Sequence, residues 1–390
     1  MHQVEAYSKV SNNNNERLDT MQEKQANCPN CGVAIKILLT DFDESELVMR
    51  LSKDLKEAVK LMTPKEVRFT VDQYYTLQSN RIRAAGQVRA MTESKEPNTV
   101  LQWLTDKSGV LENQVKAALF EYANSRLEGR WLMSLVGIGP VLAAALMSNT
   151  NPERATTAGK LQRFAGLDPT KKWLGVKKAN ALYDTLKDAS LEEMIIEAAE
   201  KVNTTPELLT ALMRDKTGNP VMTGEALRKA MARCPWNARF KTACWKCSDM
   251  FVKFSGRDDC FYGAIYKKRK AQEIAYNSQK KFADQAAQKL KDFKIGKSTD
   301  AYKAYIQGYL PDAHLHARAM RYTVKVLLSH WQLVAYWCHF KTLPPAPYAL
   351  VYLKPLGHTH LIKPPNLELF EEFKPLIEKL KAEWPEWWVD

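Results

Sequence analysis

Gly137, Ile138, Gly139 and Pro140 stand between an apolar stretch ending at Val136 and the small-residue run from Val141 to Met147. Two glycines this close permit a tight turn and a close approach of backbone to a ligand. Proline at a first helical position loses no needed N–H. The amides of Gly139, Val141 and Leu142 would then lie at a helix N-terminus, where the dipole favours an anion. The spacing predicts a helix-hairpin-helix element, and phosphate is the natural anion for it. A glycine turn between two buried helices would use the same residues with no ligand. Gly137, Ile138, Gly139, Val141 and Leu142 are the candidate contacts. Lys160, Arg163, Lys171 and Lys172 follow and would extend them to flanking phosphates.

Cysteine supplies a second chemistry. Cys28-Pro-Asn-Cys31-Gly32 has the form of one knuckle of a zinc ribbon, with glycine relieving the turn. A structural zinc takes four ligands, and one knuckle gives two. Cys244-Trp-Lys-Cys247 is the other C-x-x-C and reads as helical. The two pairs together, a zinc shared between chains, or a degenerate knuckle are the alternatives. No βαβ pattern surrounds either pair, which argues against thioredoxin-like redox work. Cys234, Cys260 and Cys338 read as small buried residues. His314 and His316 are two apart, a poor spacing for one helix face, and a structural role is favoured. No cofactor is required by these patterns, and a structural zinc is the one that Cys28 and Cys31, with or without Cys244 and Cys247, could hold.

Charge is the third signal. The formal net charge is +13. Residues 226–330 hold 22 Lys/Arg and 8 Asp/Glu, so this stretch alone carries the excess. A localised basic region suggests a polyanionic partner, although lysine-rich helices also serve solubility. The candidate backbone contacts there are Arg239, Lys241, Arg257, Lys267, Lys268, Arg269, Lys270, Arg318, Arg321 and Lys325. Residues 366–390 are acidic, and Trp384, Trp387 and Trp388 could anchor a protein partner.

The elements that must position these groups are helical, and the fold class is mainly α. Leu47, Leu51, Leu55 and Val59 share a helical face. Thr63-Pro-Lys-Glu66 is a capping box with proline at the first helical position. The helix after it carries Tyr74, Tyr75, Arg81, Ile82 and Arg89, read as core aromatics beside a solvated basic face. Gly166 and Pro169 stop a short helix begun near Lys160. The expected organisation is a disordered N-terminus (1–26), a Cys knuckle (27–42) and a helical domain (43–130). The helix-hairpin-helix (131–172), an inserted helical segment (173–225) and a basic helical domain (226–342) follow. A Pro-rich segment with an acidic Trp-rich tail helix (343–390) completes it. No apolar run is long enough to span a membrane, and the polar N-terminus lacks the core of a signal peptide. Cytoplasmic residence, in a bacterial or phage-infected cell, is expected, with the cysteines reduced. The oligomeric state is left open.

The hairpin, its Ala-rich helix and Phe164-Ala-Gly-Leu-Asp-Pro169 about 20 residues on form a joint pattern. It resembles the C-terminal domain of insertion-sequence transposases that pair a RuvC-like acidic domain with a C-terminal serine and are guided by a bridge RNA. The strong resemblance covers about 40 residues. A weaker one, at Arg318 to Trp331 and through Trp236–Lys241 and Tyr262–Lys270, resembles phage- and mobile-element-encoded relatives.

The resemblance implies DNA as partner, duplex or branched, with RNA also open because amides read phosphate in either. The family's acidic domain needs strands with carboxylates at their ends to hold metal ions. Here the region before the hairpin reads as helical, and residues 34–39 before Asp41 and Asp43 are the only strand-plus-acid candidate. The family's serine position holds Thr170-Lys-Lys-Trp-Leu-Gly175, and Ser255-Gly256 lies outside the motif. No catalytic residue is therefore assigned. The expectation is a non-catalytic DNA-binding protein. A transposase or recombinase with an atypical site, and a structural protein with a buried hairpin, are its rivals.

Overall fold

The computed structural model describes residues 22–27, 34–39, 51–171, 173–352 and 361–385, with backbone alone at 22–27, 34–39, 349 and 350. Cys28, Cys31, Asp41, Asp43, Leu47, Lys172, Trp387 and Trp388 lie outside them. The fold is mainly α. Strands β1 (Gln22–Asn27) and β2 (Ala34–Leu39) form an antiparallel pair with Gln22 opposite Leu39. The described residues divide into two compact units, those within 1–52 and 77–114, and those within 53–76 and 115–390.

In the first unit, the later part of α2 (Pro64–Glu93) runs back along the first part of α3 (Thr99–Asn124). The buried carboxylate of Glu112 holds them in register. It takes Arg81 Nε at 2.6 Å and Gln78 Nε2 at 3.4 Å.

In the second unit, α1 (Lys53–Lys60) precedes the capping box at the start of α2. Thr63 N and Oγ1 donate to Glu66 Oε2 at 2.7 and 2.8 Å. The core forms around α5 (Pro140–Asn149), buried from Val141 to Ser148. Three successive alanines, Ala143 to Ala145, let α4 (Leu127–Ser134) and α11 (Ala238–Lys253) approach its backbone closely. The long α15 (Asp312–Phe340) packs on α4, α6 (Ala158–Phe164), α11 and α12 (Phe261–Ser278). Its Trp331 indole donates to Thr150 Oγ1 at 2.8 Å.

The C-terminal segment completes this core. Leu367, Phe373, Leu376, Leu380 and Trp384 are buried in it, the last three on or just after α17 (Lys374–Glu383). Trp131 Nε1 donates to Pro365 O at 2.8 Å. Trp384 is therefore no exposed anchor, which corrects the expectation of a Trp-rich docking tail at that residue. Its ring is an apolar surface the chain needs for its own core.

Helices α7 (Gly175–Leu186), α8 (Leu191–Lys201), α9 (Pro206–Thr210) and α10 (Gly224–Ala232) share a separate small core. Met194, Ala198, Met213 and Leu227 form its centre. Beyond α12 come α13 (Ala283–Asp292), α14 (Asp300–Ile306) and, after α15, α16 (Tyr348–Tyr352). Among the described residues no helix is long and apolar enough to cross a membrane.

Candidate nucleic-acid interface

The turn between α4 and α5 is built on Gly137, whose φ of +98° favours glycine. A Cβ there would also press on Met250 and Phe251, each 3.4 Å away. Ile138 N donates to Leu135 O at 2.9 Å, and the Ile138 side chain is buried. Gly139 caps α5 with extended backbone, Pro140 takes the first helical position, and Ala143 N donates to Gly139 O. The turn is thus two-faced. Val141 and Leu142 bury their side chains, whereas Gly139 is exposed and a Cβ on it would meet nothing within 4 Å. Amides in a first helical turn have no acceptor within the helix. Any partner they gain here is met through main chain, from the Gly139 side.

The loop from Phe254 to Cys260 lies beside the turn. The Phe254 ring is 3.5 Å from the Gly137 Cβ position, and Cys260 Sγ donates to Val136 O at 3.8 Å. This brings Arg257 alongside, its guanidinium over Phe254 and paired with Asp259 at 2.6 and 2.8 Å. It also brings Ser255 there. The Ser255 hydroxyl donates to Val252 O at 2.8 Å, as at a helix end.

Lys160 and Arg163 are not at this turn. They sit on α6 and line a cleft of about 930 Å³ with Ser148 to Ala155, at the C-terminal end of α5. A ten-residue helix is about 15 Å long, so the two places lie at opposite ends of one buried helix. Both side chains also line a neighbouring cleft of about 870 Å³ with Asp168 and Lys325. Burial pushes Asp168 up, yet hydrogen bonds from Thr170 and Arg163 hold it below the usual carboxylate range. Burial draws Lys325 below the usual lysine range.

The Gly137–Gly139 turn and the Phe164–Pro169 segment both fall within residues 129–210, which match the model of the Transposase IS116/IS110/IS902 family. The chain carries a transposase-related domain. No curated protein and no solved structure matches it. The domain takes in α4 to α9, so the match runs from the turn into the small bundle.

Within the transposase-related domain, Lys171 is engaged with Asn203 O at 3.0 Å. Beyond it, the basic candidates divide by what they touch. Arg239 pairs with Asp72 at 2.9 Å, and Lys241 lies 3.9 Å from the Trp236 ring centroid. Lys267, Lys268 and Arg321 are exposed, and Lys270 is half-buried. Arg269 and Arg318 do inward work. They meet on Glu273, which is 1% exposed, at 2.6 and 2.7 Å. Arg318 also donates to Gln285 Oε1 at 3.0 Å. A buried carboxylate persists only with such partners. Arg269 reaches Glu273 within α12, and Arg318 joins α15 to it.

Cys244 and Cys247 lie in the core on α11. Burial pushes the Cys247 thiol up to about 12 and raises Cys244 as well, which disfavours the thiolate a metal needs. Among the described residues no group of three or more His, Cys, Asp or Glu could hold a metal ion. The α15 histidines pair with tyrosines. His314 meets Tyr305 at 3.3 Å, His316 meets Tyr266 at 2.7 Å and His330 meets Tyr262 at 2.8 Å. His330 Nε2 is also 2.7 Å from Ile362 O. A carbonyl only accepts, so Nε2 carries the proton and Nδ1 accepts from the Tyr262 hydroxyl.

The sequence reading missed Arg68, Asn149 and Arg154, which line the cleft at the end of α5. No motif spacing marks them. They come from α2, the end of α5 and the loop before α6, and only the fold unites them.

Proposed function

We propose that this chain binds DNA through its phosphate backbone, without catalysis of its own, using the Gly137–Gly139 turn and the start of α5 as a helix-hairpin-helix grip. The supporting observation is the open Gly139 face over first-turn amides, inside a stretch matching a transposase family. Arg257 stands beside the grip, and Lys267, Lys268 and Arg321 offer exposed positive charge, with Lys270 half-buried. Such contacts position a protein but read little sequence. Duplex and branched DNA both present the required phosphates, as RNA does.

The test is a binding titration at several salt concentrations with wild type and Gly139→Asp. Affinity should fall by at least about tenfold between roughly 50 and 200 mM salt. Asp at position 139 suits an N-cap, because the backbone there is extended and the space is open. It should hold the fold, or stabilise it by roughly a few tenths of a kcal/mol, while repelling phosphate and lowering affinity. A flat salt response, or unchanged binding by Gly139→Asp, would overturn the proposal.

A second reading, DNA strand transfer, draws on the Ser255 loop beside the turn. It expects metal-dependent nicking that Ser255→Ala abolishes. Intact DNA after incubation with magnesium or manganese would remove it.

A further inference from the structure

We infer that the cleft at the C-terminal end of α5 is a separate binding site for one unpaired nucleotide, phosphate and base together. It stands on residues other than those of the turn. Its volume of about 930 Å³ is in the range that encloses a ligand of nucleotide size.

The lining combines two chemistries. Arg68, Arg154, Lys160 and Arg163 supply four cations. Arg154 and Lys160 are exposed, and Lys160 Nζ rests on Thr156 Oγ1 at 2.8 Å. Arg68 donates to Ser148 O, which fixes its guanidinium at the end of α5. The acid on the wall, Glu153, faces His339 at 3.8 Å. Pro64, Leu161, Phe164 and Pro235 add apolar lining, two of them on the same helix as Lys160 and Arg163. Phe164 is 42% exposed although its ring packs on Phe240 with centroids 5.6 Å apart. A bound base could cover that ring.

Asn149 closes part of the cleft wall, its Nδ2 donating to Ala145 O at 2.9 Å. Cations alone would serve any anion. The exposed Phe164 ring favours a nucleotide over an acidic peptide.

The experiment uses the full chain and a labelled, short single-stranded oligodeoxynucleotide. Deoxyadenosine monophosphate, inorganic phosphate and polyglutamate serve as competitors, with a blunt duplex measured in parallel. Arg154→Ala with Lys160→Ala should weaken the single strand by about tenfold. Phe164→Leu should weaken it about fivefold or more while leaving phosphate competition unchanged, because it removes the stacking face and keeps apolar bulk. A thermal melt checks that each variant is folded. Gly139→Asp should weaken the duplex and leave the single strand within about twofold, which separates this site from the proposed grip. Competition by the mononucleotide would identify a free nucleotide as occupant, and competition by strand alone a chain segment. Equal competition by polyglutamate, no effect of Phe164→Leu, or no loss in the double variant would overturn the assignment.

Discussion

Gly166 has φ of +67°, and a Cβ on it would lie 2.6 Å from Trp236 Cγ. Gly166→Ala should therefore cost about 2–4 kcal/mol, from left-handed backbone and overpacking together. A fall in the urea midpoint with a shifted tryptophan emission would show it, and an unchanged midpoint would contradict it. At the same scale, burial draws His330 down to about 4, and burial draws His314 to the same value. The unfolded chain takes up these protons near pH 6.5. Stability from the neutral rings is thus fully present above about 6.5 and is lost as pH falls toward 4. His330→Gln should flatten the stability profile in that window, which denaturation at pH 7 and pH 4.5 would measure. The stop signal at Gly166 was legible from residue type alone. The pairing of His330 with Tyr262 was not, because the partners are 68 positions apart.

Local signals marked the helix starts well. The Thr63–Glu66 box and Pro140 stand where sequence rules put them. Tertiary packing decided what local signals could not. Helix α3 runs unbroken from Thr99 to Asn124 although Gly109 lies within it. The helices α12 and α15 read as basic and solvent-facing. Folding turned one side of each inward, so Arg269 and Arg318 support Glu273 and leave the charge of Lys267 and Lys268 outside. Glu273→Ala should cost about 2–3 kcal/mol, less than a fully buried pair because both arginines keep about a quarter of their surface. Adding Arg318→Met should recover part of the loss in a double-mutant cycle. Additive losses would show that the two residues are uncoupled.

Over the whole molecule, the mainly α class and the transposase-related stretch were both legible. Hydrophobic spacing and a six-residue motif are local in the chain. The fate of the C-terminal segment was not. Acidic and tryptophan-rich, it looked like an outward tail, yet it seats Leu367, Phe373, Leu376, Leu380 and Trp384 against helices far earlier in the sequence. Deleting residues 366–390 should expose that apolar surface and give aggregated protein, read by size-exclusion chromatography and loss of a cooperative melt. A monomeric deletion variant with an unchanged melt would contradict this.

The buried helix α5 has one further consequence. Its ends carry the glycine turn and the four-cation cleft, and its interior position leaves it no freedom to bend or slide. It is a ruler. About 15 Å corresponds to four or five steps of about 3.4 Å along a duplex. A duplex held at the turn, with an unpaired nucleotide beyond its end seated in the cleft, would be gauged in those steps, and its footprint would be set by the number of residues in a helix that never meets it.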